Sequence, residues 1–183
     1  MKKQIQLMVI TLILAIVALP LLSYGASRAE IDRDANSALR QLYDSNPQAL
    51  MLAERAKGIL VFPAIVKGGF IIGGQLGDGT LRVGGKTAGY YRSVAVSYGL
   101  QAGVQSFGYV LFFMNDSALN YLSKSEGWEI GVGPSIVIVD AGVARSLTTT
   151  TLKDDIYAFI FSQKGLMAGL GLQGTKITRI NPD

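Results

Sequence analysis

The sequence predicts an α+β fold: two N-terminal helices packed on a glycine-rich antiparallel β-sheet, sandwich or barrel-like, with one short inserted helix. Three observations predict it. Of the 22 glycines, 21 lie between Gly58 and Gly174, scattered among short Val, Ile, Leu, Phe and Tyr runs. Such runs suit a pleated surface, and glycines between and inside them mark turns, bulges or close backbone approach. From Ser93 to Val104, Val94, Val96, Tyr98, Leu100, Ala102 and Val104 alternate with Ser93, Ala95, Ser97, Gly99, Gln101 and Gly103, the period of a half-buried central strand. Its small face is either a thin outer face, a tight sheet-on-sheet contact, or a surface that another backbone or a flat ligand approaches. Ahead of the sheet, apolar residues recur every three or four positions, which is a helical pattern.

In chain order, Met1 to about Gly25 has the form of a secretory signal. Lys2 and Lys3 open it, Leu7–Leu22 is its apolar centre, and Ser23-Tyr24-Gly25 offers small residues for cleavage. Thr11 and Pro20 interrupt an apolar run shorter than the roughly 20 residues a membrane-spanning helix needs. The expectation is therefore an exported chain, cleaved near residue 25, whose residues 26–183 form one domain that is periplasmic or membrane-associated in the envelope.

Ser27 and Glu30 have capping-box spacing. Ile31, Ala35, Ala38, Leu39, Leu42 and Tyr43 then share one helix face, with Arg33 and Arg40 together on the other and Asp44 close to them. Asn46-Pro47 starts a second helix to about Lys57, with Ala49, Leu50, Leu52, Ala53 and Ala56 inward and Gly58 as its stop. The β-run opens at Gly58, with Pro63 implying an edge or a bulge. Turns are expected at Lys67-Gly68-Gly69, Gly77-Asp78-Gly79 and Gly84-Gly85, between strands at 70–76, 80–83, 91–104 and 107–114. A short helix capped by Asn115 or Asp116 runs to Lys124, and Trp128–Val139 returns to strand. Ser146–Asp155 is a loop, and strands at 156–162, 166–172 and 176–180 complete the sheet.

Composition closes off much chemistry. With no cysteine and no histidine, disulfides, thiolate sites, histidine-ligated zinc and Ser-His-Asp or Cys-His catalysis are excluded. The net charge of +4 includes Lys2 and Lys3, and what remains is too weak and dispersed to predict nucleic-acid binding. Gly84-Gly85-Lys86-Thr87 resembles the tail of a phosphate-binding loop, but Thr80 stands where the first glycine belongs. Gly73-Gly74-Gln75-Leu76-Gly77 leads into a strand instead of a helix N-terminus. Asp140 reads as a turn residue ahead of Gly142, and Asp154-Asp155 as a loop or a cap. No catalytic residue, metal ligand or cofactor is predicted.

Lys57-Gly-Ile-Leu-Val-Phe-Pro63, Lys67-Gly-Gly-Phe70, Gly99-Leu-Gln-Ala-Gly-Val-Gln105, Val110-Leu-Phe-Phe-Met-Asn115 and Gln163-Lys-Gly-Leu-Met-Ala-Gly169 resemble, in order and spacing, the SYLF domain, also called the yeast actin-patch or lipid-binding domain. The resemblance covers about Ser27 to Ile180. Trp128-Glu-Ile-Gly and Thr149-Thr-Thr-Leu-Lys-Asp154 look like the secreted bacterial branch. Tyr91-Arg-Ser-Val94 and Gly142-Val-Ala-Arg145 depart from signatures of the eukaryotic branch, and with them from its actin-binding activity. The resemblance implies non-catalytic binding of anionic phospholipid headgroups at a bacterial envelope membrane surface, with Arg33, Arg40, Lys57, Lys67 and Lys164 as the lipid-binding cations. The alternative is a structural or interaction module of the envelope, a homo-oligomer or the partner of an envelope protein.

Overall fold

The computed structural model describes residues 25–148, 150–165 and 172–183, with the backbone alone at 70–72, 97–102, 141 and 165. The expected signal segment and most of the expected strand at 166–172 lie outside the described residues.

Helix α1 (Arg28–Ser45) begins as its sequence predicts. Ser27 Oγ accepts from the Glu30 amide, and the Glu30 carboxylate accepts from the Ser27 amide at 2.8 Å. That backbone hydrogen bond lowers the Glu30 pKa below the usual carboxylate value. Asn46 leaves α1 in an extended conformation and caps α2 (Pro47–Ala53), with Pro47 at the first helical position. Helix α2 stops four residues before the expected Lys57, and Leu50 faces solvent where an inward position was expected.

The sheet is dominated by one ribbon. Strand β1 (Gly58–Val83) and strand β2 (Lys86–Phe113) pair antiparallel along nearly their whole length, from Gly58↔Phe113 to Val83↔Lys86. Of the three expected turns, only Gly84-Gly85 turns the chain, with φ of +57° and +77°, the left-handed pair a two-residue hairpin demands. At Lys67-Gly68-Gly69 and Gly77-Asp78-Gly79 the strand runs on. These glycines serve close approach instead. A Cβ on Gly77 would strike Ala64 and Ile65, and one on Gly79 would strike the Val61 carbonyl and the Phe62 ring.

Those contacts show that the ribbon is folded over so that its two halves face each other. The crease is a register shift in which Ile71 alone of β1 lies opposite residues 99–101 of β2, between the pairs Phe70↔Ala102 and Ile72↔Tyr98. Extra residues in one strand bend a pair in this way. A second shift between Phe62 and Ile65 spans Pro63, the bulge its proline predicts.

Short strands extend each half. Helix α3 (Asp116–Lys124), capped by Asn115, follows β2. Strand β3 (Trp128–Glu129) pairs with β6 (Lys176–Ile180), and β6 pairs with the first half of β2. Strand β4 (Ile136–Ile138) lies parallel to β5 (Ile156–Gly165), and β5 pairs with the second half of β2. The sheet has six strands, and because β1 and β2 serve in both halves it curls as a half-barrel of eight strand segments. The β4–β5 pair makes the sheet mixed, correcting the all-antiparallel expectation. Helix α4 (Ala141–Ser146), capped by Asp140, is a second inserted helix where one was expected.

Two apolar cores follow from the alternation. Inside the curl lie Leu60, Phe62, Leu81, Phe107, Tyr109, Leu111, Phe113 and Trp128. Outside the second half, Val61, Val110, Phe112, Tyr157 and Phe159 are covered by Ala35, Ala38 and Leu42 of α1 and by Ala49 and Leu52 of α2. Polar bonds anchor α1 as well: Asp32 accepts from Arg82 Nη2 at 3.1 Å, Thr87 Oγ1 at 3.0 Å and the Tyr90 hydroxyl at 2.9 Å. Removing an acceptor that serves a largely buried arginine leaves its donors unsatisfied. Asp32→Ala is therefore expected to lower unfolding free energy by about 2 kcal/mol in urea titration, with Asp32→Asn recovering part of the loss.

Candidate functional site

The ribbon's alternation has the opposite sense from an ordinary half-buried strand. Ser93 is fully buried, and its hydroxyl accepts from the Tyr109 hydroxyl across the fold at 2.8 Å. Val94, Val96 and Val104 face solvent, together with Val66 and Leu76, and these five side chains are 41–67% exposed. The physical reason is the fold-over itself. Gly77, the cross-strand partner of Ser93, and Gly79 abut the other half of the ribbon, so this stretch presents its small residues inward and its valines outward. At Ser93, the buried end of the small face, tight sheet-on-sheet contact is the reading found, while Gly103 at its other end is exposed.

The five outward residues lie near the crease on the convex surface. Leu76 is the cross-strand partner of Val94, Val66 of Ser106, and Gly68 of Val104. Antiparallel partners share a face, so the stripe is continuous with whatever stands opposite on β5 and β6. There, Lys176 partners Val94 and Lys164 partners Ser106, and both lysines are exposed. Glu129 stands beyond Lys176 on β3. On the other side the stripe ends at a bidentate ion pair, Arg92 to Asp78, at 2.6 and 2.8 Å. Leu76, Val94 and Val96 lie on one side of the crease and Val66 and Val104 on the other, and exposed apolar surface rimmed by charge is the usual mark of an interaction site.

The five cations named from the sequence do not converge on this surface. Arg33 and Arg40 project from the outer side of α1, and Arg33 pairs with Asp34 at 3.0 Å. Lys57 is exposed at the start of β1, about 30 Å of strand from Lys67. Lys67 points into the curl and is only 7% exposed. Lys164 alone of the five borders the stripe. Lys176, the other bordering lysine, was missed because its place beside Val94 depends on the pairing of distant strands.

The other tempting residues have structural roles. Asp140 Oδ1 accepts from the Gly142 and Val143 amides at 2.8 Å. Asp155 accepts from the Ser135 amide and from Asn115 Nδ2, and the Ser135 bond foremost lowers its pKa. An open groove of about 690 Å³ lies between Arg28, Thr87, Tyr90 and Arg179, but Arg28 is spent on Pro182 O and Asn181 Oδ1, each at 2.7 Å. Among the described residues, no group of three or more Asp and Glu could hold a metal, and no helix is long and apolar enough to cross a membrane.

Taken together, the curled sheet, its helical cover and its exposed apolar ridge define a binding-type α+β module. A family model described as Ysc84, Las17-binding protein actin regulator, matches residues 94–181, just under half of the chain. That segment is similar to the SYLF domain family, a family associated with binding lipid and actin regulators. A search of curated proteins found no match.

Proposed function

We propose that this chain is an exported, non-catalytic module that binds anionic phospholipid at a bacterial envelope membrane, docking through the convex ridge of its ribbon. The observation that carries this reading is the outward stripe Val66, Leu76, Val94, Val96 and Val104 with Lys164 and Lys176 at its border. Apolar side chains entering the headgroup layer supply burial, and each lysine near an anionic surface adds about 1 kcal/mol. The family's association with lipid supports the same reading, and the apolar N-terminal pattern supports export.

Flotation with phosphatidylglycerol-containing and with pure phosphatidylcholine vesicles tests it. The expected result is strong recovery with the anionic vesicles, little with the neutral ones, and weakening as salt rises. Equal recovery with both, or none with either, would overturn it. A stable oligomer indifferent to lipid would instead favour an envelope interaction module whose ridge meets another protein.

A further inference from the structure

At the end of the ribbon away from the crease, a groove of about 400 Å³ opens between α1, the C-terminal end of α2 and the Gly84-Gly85 turn. The fold-over makes it, because Ile59 and Arg82, from opposite ends of β1, both line it. Asn36, Leu39 and Tyr43 form the α1 wall, spaced three and four residues apart on one stripe. At 1.5 Å per residue they cover about 10 Å of helix. Ala53, Ala56 and Ile59 continue the apolar lining, and with Leu39 and Tyr43 they are only partly buried. A Cβ on Gly84 or Gly85 would meet nothing within 4 Å, so the turn leaves its side of the groove open.

The polar groups of the groove have hydrogen-bonding capacity left. Arg82 donates to Asp32 O, Asp32 Oδ1 and Asn36 Oδ1 through Nη2 each time, and its buried Nε has no partner. An enclosed donor without an acceptor is costly, and the adjoining groove is where an acceptor can enter. The Tyr43 hydroxyl has no partner among the described residues either, and burial pushes its pKa up to about 12, which keeps it a neutral donor. Formal charges cancel. Asp32 balances Arg82 at 3.1 Å, and Glu54 and Lys57, both exposed on the rim and unpaired among the described residues, offset each other. A donor-rich, apolar-walled groove without net charge favours a neutral acceptor over a phosphate.

We propose that this groove holds a short, extended, uncharged segment of a partner polypeptide, with apolar side chains against Leu39, Tyr43 and Ile59 and a backbone carbonyl on the unused edge of the Arg82 guanidinium. An extended chain rises about 3.3 Å per residue, so the groove's length takes about three residues. The first and third side chains of such a segment point the same way, into the apolar lining. Carbonyls repeat along it, so it supplies acceptors to Arg82 and Tyr43 together and brings no charge. Apolar walls with a few placed polar groups are the common form of a recognition pocket. The groove is separate from the convex ridge, which lies near the crease, and its occupant is independent of the membrane reading.

The test titrates the isotope-labelled full chain with the blocked peptides acetyl-Leu-Ser-Leu-amide and acetyl-Gly-Ser-Gly-amide and with glycerol phosphate, followed by NMR. The leucine peptide is expected to shift the Gly84 and Gly85 amides and Arg82 Nε saturably. Its affinity is expected to exceed that of the glycine peptide by about tenfold or more, the effect of partly burying two leucine side chains. Tyr43→Phe keeps the apolar wall and removes the hydroxyl, and is expected to weaken binding by about threefold to tenfold, the effect of one net hydrogen bond. Ala53→Glu places a charge in the groove and is expected to abolish the shifts; should it fail to fold, Tyr43→Phe carries the comparison. No shifts up to the solubility limit of the leucine peptide, equal binding of both peptides, unchanged affinity in every folded variant, or tighter binding of glycerol phosphate overturns the site. Vesicle flotation reads the ridge valines and this titration reads the groove, so the two proposals fail separately.

Discussion

Val96→Asp combined with Val104→Asp is expected to reduce partitioning onto phosphatidylglycerol vesicles roughly a thousandfold. Each substitution removes an apolar side chain from the ridge, worth about 1 kcal/mol for partial insertion, and adds a charge repelled by the surface, worth about 1 kcal/mol more. Two sites on opposite sides of the crease act on one docking event, giving about 4 kcal/mol, or roughly three powers of ten. Both side chains are more than half exposed, so the fold loses little, and melting temperature is expected to move by only a degree or two. Flotation and thermal melting of the same preparation check both halves of the claim. Unchanged flotation would remove the ridge from the binding surface.

Gly79→Val is expected to destabilise the domain by about 3 kcal/mol or more, at the upper end of overpacking costs. A side chain there meets the Val61 carbonyl and the Phe62 ring, and backbone held in a paired strand cannot retreat as the end of a flexible side chain can. The comparison is Gly84→Ala in the hairpin turn. No atom lies within 4 Å of a Cβ at Gly84, so the cost is left-handed backbone strain alone, about 1 kcal/mol. Urea midpoints of the two variants should differ clearly, with Gly79→Val the lower. Equal midpoints would mean that the two halves of the ribbon are not pressed together in solution.

Local signals carried the helical part of the fold. Ser27 and Glu30 cap α1, Asn46 and Pro47 start α2, and Asn115 caps α3, because each involves neighbours within a few residues. The strands were legible as strands but not as a ribbon. Glycine at Gly68, Gly69, Gly77 and Gly79 signals equally a turn and a place where another backbone lies close, and only the tertiary arrangement decides. The same ambiguity hid the functional surface. Alternation from Ser93 to Val104 separates two faces without saying which is inner, and the usual assignment of valines to the core fails here, where Ser93 is buried and Val94, Val96 and Val104 face solvent. Cations were still harder to assign. Arg33 and Arg40 were placed correctly on the outer side of α1, whereas the inward turn of Lys67 follows from the strand running straight through a stretch that reads as a turn. Lys164 and Lys176 become neighbours of one ridge only once β5 and β6 dock on opposite halves of β2.

The fold-over has a further consequence for how the protein holds together. Because the same two strands run through both halves of the barrel, neither half owns a complete set of hydrogen-bonding partners. The family match begins at Val94, within the first third of β2, so a fragment cut there would lack all of β1 and leave the remaining strand edges bare to self-association. The smallest cooperative unit must therefore reach back at least to Gly58, and opening either half loosens the other, as in a strip of paper creased once and glued to itself.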